Sequence, residues 1–254
     1  MDEFKDYKNF CKELANVSST IIKKYFRKKI TVEAKDDKSP VTVVDKKAEE
    51  AMREKILKQY PDHGIIGEEF GISNEQAEYK WVLDPIDGTK SFICGAYSFG
   101  TLIALLKNGK PIIGVYNHPI LNDFLIGDNK ETRINGEKTH VRNCTDLRSA
   151  TLLTTDHLNI EKYKDINRFT SLIRKVKLYR NWGDCYGYYL LATGFADIMI
   201  DPIMSPWDLL PLIPIVIGAG GVITDYSGHN PINGNSIIAA SPTIHSAVIS
   251  ILNK

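Results

Sequence analysis

Short apolar runs that end in an acid recur along this chain, and they constrain its fold more than any other feature. Trp81-Val82-Leu83 runs into Asp84, and Ile65-Ile66-Gly67 runs into Glu68-Glu69. Runs this short, bounded by turn residues, read as buried strands. A strand that stops at a carboxylate delivers that carboxylate to the end of a sheet. After Asp84 the chain continues Pro85-Ile86-Asp87-Gly88-Thr89. Pro85 fixes a turn, so Asp84 and Asp87 can converge on one point. Gly88 lets the backbone approach a ligand closely, and Thr89 offers a hydroxyl and an N–H. A helix opening there would aim its free N–H groups at the same point and favour an anion. Asp208 follows Trp207 at a later helix start, and Asp45 follows Val43-Val44 at another. Alone, each of these reads as a helix-start acid.

The rest of the pattern places these motifs. Residues 3–28 carry apolar positions at helical spacing, as do 44–60. The polar stretch 35–42, with Pro40, reads as a loop. Residues 99–106 and 111–116 are strand-like around Asn108-Gly109, and Asn135-Gly136 marks a second hairpin. From about residue 150 strands and helices alternate: strand 151–155, helix 159–176, strand 177–182, helix 183–194 and an extended 196–200. A helix from Asp208, strands at 222–225 and 237–240, and a last helix opened by Ser241-Pro242 complete the chain. With Asp208 as cap, Pro211 falls in the first turn and Pro214 inside, where a distortion is expected. The fold class is α/β, with an α+β first lobe over about 1–145 and an α/β second lobe over about 146–254.

Composition excludes several functions. With 32 Lys+Arg against 31 Asp+Glu the net charge is +1, which gives no general pull toward nucleic acid or an anionic membrane. Cys11, Cys94, Cys144 and Cys185 form no Cys-x-x-Cys pair, so reduced thiols in a cytoplasmic protein are expected. No apolar run is long enough for a membrane span, and the start of the chain is no signal peptide. The six histidines lack zinc spacing, which leaves them surface or capping roles. No serine or cysteine nucleophile stands in a convincing motif. Two acids, a backbone carbonyl and a helix start describe a site for a hard cation and a phosphate.

The set Gly67-Glu68-Glu69, Asp84-Pro-Ile-Asp87-Gly-Thr89 and Trp207-Asp208 followed by Gly220-Gly221 resembles the inositol monophosphatase superfamily, over essentially the whole chain. These are Mg²⁺-dependent, lithium-sensitive phosphomonoesterases with a layered α-β-α-β-α sandwich. The resemblance implies that Glu68, Asp84, the Ile86 carbonyl, Asp87 and Asp208 bind two or three Mg²⁺ ions, with Asp45 helping to hold a weaker one. It implies that Thr89 and Glu68 activate the attacking water, that the N–H groups of Gly88 and Thr89, with Asp87, hold the phosphate, and that the protein is a homodimer. An oxygen-only donor set suits Mg²⁺ over softer metals.

Arg180-Asn-Trp-Gly-Asp184-Cys-Tyr-Gly-Tyr188 and Ile200-Asp201-Pro202 resemble the histidinol-phosphatase branch. Asp184 and Asp201 at a substrate rim would favour a leaving group that carries an ammonium, by short-range charge pairing. Asp184 also reads as the cap of the helix that begins there, and both readings stay open. Lys90 reads as a partner of nearby acids as much as of phosphate. Trp81, Phe92, Phe99 and Trp207 read as core. The alternatives are an inositol-1-phosphate or broad sugar-phosphate phosphatase, and, from another class, a protein-binding partner in a transcription complex.

Overall fold

In chain order the elements are α1 (Lys5–Tyr25), β1 (Val32–Ala34), β2 (Pro40–Thr42), α2 (Val43–Gln59), β3 (Gly64–Gly67), β4 (Gly71–Ser73), β5 (Tyr79–Asp87) and α3 (Thr89–Ile93). Then come β6 (Gly100–Lys107), β7 (Lys110–His118), β8 (Asp123–Gly127), β9 (Thr132–Ile134), β10 (Glu137–Thr139), β11 (Thr151–Thr154), α4 (His157–Tyr163), α5 (Ile166–Ile173) and β12 (Leu178–Arg180). The chain ends with α6 (Asp184–Ala192), β13 (Ile198–Asp201), α7 (Pro206–Gly218), β14 (Val222–Thr224), β15 (Ile237–Ala240) and α8 (Pro242–Asn253). The structure is a computed structural model and describes residues 4–34 and 40–254.

β3 to β10 form an eight-stranded sheet in the order β10-β9-β8-β7-β6-β5-β3-β4, and β11 to β15 a five-stranded one in the order β12-β11-β13-β15-β14. Helices α1 and α2 cover one face of the first sheet, where Phe10, Leu14, Met52 and Ile56 meet Trp81, Leu83, Ile103 and Leu105. Helices α6 and α7 lie between the sheets, and their core joins Leu102, Tyr116 and Leu125 to Met199, Ile237 and Ala239. The outer face of the second sheet packs on α4, α5 and α8 through Ile160, Phe169 and Val248. The result is an α-β-α-β-α sandwich. Trp81, Phe92 and Phe99 are buried, and Trp207 packs half-buried against the central core. No helix among the described residues is long and apolar enough to cross a membrane. All four cysteines are free.

Both Asn-Gly hairpins form, and their left-handed backbones (φ 50 and 76 at Asn108-Gly109, 49 and 92 at Asn135-Gly136) are those a two-residue turn requires. Several expectations change. Residues 40–42 of the expected loop form β2, antiparallel to β1; the remaining 35–39 lie outside the described residues. The helix expected over 159–176 is two, because the Asp165 carboxylate caps the N–H groups of Asn167 and Arg168 and so restarts the chain as α5. The cap of α7 is Ser205, with Asp208 in the first turn accepting the Ser205 N–H at 3.1 Å. Pro211 therefore lies inside α7 together with Pro214, and the helix runs unbroken through both.

α7 sits directly on the first sheet. Gly114 and Gly127 are cross-strand partners on β7 and β8. A Cβ on Gly114 would stand 1.9 Å from the Pro211 carbonyl oxygen, and one on Gly127 2.5 Å from that of Pro214. Thr132 Oγ1 donates to the Ile215 carbonyl at 2.7 Å and the Asn129 N–H to that of Pro214 at 3.3 Å, which pins the helix to the strands beneath it. That contact fixes where Asp208 stands.

Candidate active site

Asp84 and Asp87 both leave β5, three residues apart. In a regular strand an odd separation puts side chains on opposite faces. Here β5 bulges against β6: Asp84 pairs with Leu102 and Asp87 with Gly100, so Pro85 and Ile86 together oppose Thr101. Pro85, expected to make a turn, instead occupies this bulge within the strand. Its carbonyl accepts the Thr101 hydroxyl at 2.8 Å, and Ser18 Oγ of α1 lies 2.8 Å from that same hydroxyl. The bulge returns both acids to one side. With Asp208 from α7, their carboxylate oxygens lie within 4.8 Å of one another.

Like charges so close raise one another's affinity for protons. Burial, then Glu68, Asp87 and Asp208, holds the Asp84 carboxyl well above the usual range. Burial, then Asp184 and Asp208, does the same for Asp87. Burial, with Glu68 next, pushes Asp208 up to about 7. Asp45 is buried on the first turn of α2, where Oδ2 accepts the Thr42 N–H at 2.9 Å and the Thr42 hydroxyl at 2.5 Å. Its Oδ1 is buried with no hydrogen-bond partner, and burial raises the group to about 6. Converging carboxylates, an orphaned carboxylate oxygen and donors that are all oxygen fit a hard divalent cation, which would offset this charge.

After Asp87 the chain turns left-handed at Gly88 (φ 87) and enters α3. A Cβ there would meet Ser98 O at 2.8 Å and Asp184 Oδ2 at 3.2 Å, so glycine is required on both counts. Thr89 Oγ1 donates to the Ile86 carbonyl at 3.1 Å. Asp87 Oδ2 accepts the Cys185 N–H, which ties the bulge to the start of α6.

These groups line a cleft of about 380 Å³ with Glu68, Asp87, Gly88, Thr89, Lys90 and Asp208 on one side. Its other wall is built at the C-terminal ends of three parallel strands: Thr155 and Asp156 after β11, Asn181 after β12, and Asp201 at the end of β13. Ligands in α/β sheets bind outside such strand ends. Thr155, Asp156 and Asn159 were not singled out in the sequence, and Asn181 only within the run from Arg180 to Tyr188, although strand 151–155 running into Asp156 repeats the apolar-then-acid pattern.

Asp184 is not the helix cap. Gly183 holds that position, and a Cβ on Gly183 would strike Thr155 Cα at 2.1 Å. The Asp184 backbone is itself left-handed (φ 49), its N–H donates to Thr155 Oγ1 at 2.8 Å, and its carboxylate faces the cleft. Burial raises it to about 6, against the pull of Lys90. Asp201 is nearly inaccessible: Oδ1 accepts the Thr155 N–H at 3.1 Å and Oδ2 the Tyr188 hydroxyl at 2.9 Å, and burial pushes it up to about 7.

A model of the inositol monophosphatase family matches residues 5–254. The chain is 35% identical over 245 residues to the histidinol-phosphatase of Chlorobaculum parvum, covering 95% of each protein. It is 49% identical over 219 residues to the bifunctional phosphatase IMPL2, chloroplastic, of Arabidopsis thaliana; that alignment covers 85% of this chain and 63% of the relative, so the chain spans less than two thirds of that protein's length. A solved inositol monophosphatase from Zymomonas mobilis superposes with a TM-score of 0.89 at 36% identity, covering 100% of both chains. The fold is thus that of a known group of phosphatases. The chain belongs to the inositol monophosphatase family.

Proposed function

We propose that the chain hydrolyses a small phosphate monoester whose alcohol part carries positive charge, with histidinol phosphate the best match, in a Mg²⁺-dependent reaction. The observation that carries this reading is Asp184. It caps nothing, it holds a strained backbone (φ 49), and it presents a carboxylate beside Gly88. Strain of this kind persists where the surroundings enforce it, and it clusters at ligand sites. An ammonium on the substrate would find Asp184 at short range, with Asp156 also on the cleft wall; uncharged ring hydroxyls gain no such pairing. Asp201, with both oxygens engaged, contributes field rather than contact. The name of the Chlorobaculum parvum relative points the same way. That of the Zymomonas mobilis structure supports inositol 1-phosphate as the alternative substrate.

Glu68, Asp84, Asp87, Asp208 and the Ile86 carbonyl would hold two or three Mg²⁺ ions, Asp45 assisting with its free Oδ1. When bound, Mg²⁺ would neutralise phosphate charge and bring the pKa of a water from about 15.7 toward neutrality. Glu68 and Thr89 would orient the attacking water, and the Glu68 carboxylate would accept its proton. The N–H groups of Gly88 and Thr89, at the left-handed turn into α3, would hold phosphate oxygens. We also take the protein to be cytoplasmic, from its cysteine usage, and a homodimer, from the family resemblance alone.

The test is kcat/KM with Mg²⁺ for histidinol phosphate, inositol 1-phosphate and fructose 1,6-bisphosphate, on the wild type and on Asp184→Ala. The expected result is a preference for histidinol phosphate that Asp184→Ala reduces selectively. A preference for inositol 1-phosphate, or equal losses on all substrates, refutes the charge-pairing reading.

A further inference from the structure

One face of α2 aims three side chains at the turn that follows β3. Asp45, Glu49 and Arg53 are four residues apart and stack along one side of the helix. Asp45 lies close enough to Glu68 to feel its charge. The other two grip the backbone of the same turn. Glu49 is fully buried. Its Oε1 accepts Arg53 Nε at 2.7 Å and the Phe70 N–H at 3.2 Å, and its Oε2 accepts the Glu69 N–H at 2.7 Å. Arg53 Nη2 donates to the Gly71 carbonyl, and its guanidinium lies 6.0 Å from the Phe70 ring centre. Gly67 makes room for the pair: a Cβ there would stand 1.9 Å from Glu49 Oε1 and 2.7 Å from Arg53 Nη2. Residues 67–71 therefore close around one ion pair whose carboxylate is fully buried and whose guanidinium is largely so, with Glu68 among them. On its other side the Glu68 N–H donates to the Leu83 carbonyl of β5 at 3.2 Å.

A buried ion pair is a poor device for stability alone, since apolar residues of similar volume often serve as well or better. Directed, charge-assisted hydrogen bonds are what such a pair adds. Here each of them ends on the turn that carries Glu68. We propose that the Glu49–Arg53 pair is a positioning device: it sets where the Glu68 carboxylate falls beside Asp84 and Asp208, and so sets the affinity of the site for its divalent cation. This rests on the reading of Glu68 as a cation ligand. Neither Glu49 nor Arg53 lines the cleft, so both act through Glu68.

The test is calorimetric titration of the full chain with Mg²⁺, for the wild type, Glu49→Gln and Arg53→Lys. Ile56→Ala, a buried apolar position one turn further along α2, controls for lost stability. Glu49→Gln keeps the shape and loses the charge; Arg53→Lys keeps the charge and loses the fork. Both should weaken Mg²⁺ by about tenfold or more, while saturating Mg²⁺ restores kcat to within about threefold of the wild type. Ile56→Ala should melt earlier and bind Mg²⁺ as the wild type does. Wild-type affinity in both pair variants, or an equal loss in Ile56→Ala, overturns the positioning role. A wild type that binds no Mg²⁺ refutes instead the reading of Glu68 as a ligand. Should Glu49→Gln fail to fold, Arg53→Lys decides alone.

Discussion

Stripped of divalent cations, the chain should become more stable as the pH falls from about 8 to about 6.5. A carboxyl whose pKa is raised by folding favours the native state most at low pH, and the advantage is lost as pH rises through the folded value. Asp201 and Asp208 sit at about 7 in the fold, against about 3.9 for a free aspartate. Across this window only the native state takes up their protons, which integrates to about 0.8 kcal/mol for each. Asp45 and Asp184, at about 6, add about 0.2 kcal/mol apiece. The sum is about 2 kcal/mol, or a rise in Tm of about 4–8 °C for a chain of this size. Histidines offset part of it within this window and more below it. Burial lowers His63, His118 and His245, so their contribution is present above the unfolded value of about 6.5 and is lost as pH falls below it. The metal-free Tm should therefore go on rising below about pH 6.5, less steeply than the carboxyls alone would give. Mg²⁺, by holding Asp84, Asp87 and Asp208 ionised, should flatten the rise. Scanning calorimetry in EDTA and in Mg²⁺ measures both curves. A metal-free Tm that is flat or falls from about pH 8 to 6.5, or an identical slope with Mg²⁺, refutes the reasoning.

Gly88→Ala forces a left-handed alanine, at about 1–2 kcal/mol, and drives its Cβ against the Ser98 carbonyl. Steady-state kinetics should show kcat/KM lower by about 100-fold or more. Gly114→Ala and Gly127→Ala should each cost about 1–3 kcal/mol by lifting α7 from the sheet. Urea unfolding of the double variant should show less than the sum of the two losses, since one displacement of the helix relieves both contacts. Asp165→Ala removes the cap that separates α4 from α5. It should lower stability by about 1 kcal/mol in the same assay and leave kcat/KM unchanged.

Glu68, Asp84 and Asp208 were legible because each ends an apolar run or opens a helix, and Asp87 from its spacing to Asp84; those signals are local. The hairpins at Asn108-Gly109 and Asn135-Gly136 were legible for the same reason. What was not legible depends on contacts between distant segments. Pro85 reads as a turn, and only its pairing with β6 shows a bulge. Asp184 reads equally as a cap or a rim acid; the approach of Thr155 to Gly183 decides it by claiming the cap position for glycine. His118 read as a surface or capping residue, and its ring does cap the Leu121 N–H. It is buried, with Nδ1 accepting the Leu121 N–H and Nε2 2.6 Å from the Tyr97 carbonyl, a pairing across 21 positions that no local pattern reveals. Asp201 read as a rim acid, and only the fold shows that Thr155 and Tyr188 occupy both its oxygens.

The placement of the acids also explains why the two sheets must dock before the site exists. Asp84 and Asp87 belong to the first sheet and Glu68 to the turn after its strand β3, and Asp208 belongs to a helix whose chain neighbours, β13 and β14, lie in the second. α7 reaches the first sheet only because Gly114 and Gly127 leave room for its carbonyls. Bringing Asp208 to Asp84 and Asp87 sets like charges against one another, so the same packing that stabilises the central core opposes itself at one point. A cation bound there would reverse the sign of that local contribution, since it would add attraction to all three carboxylates at once. Cation binding and the docking of α7 would then be linked, and each should strengthen the other by the same free energy.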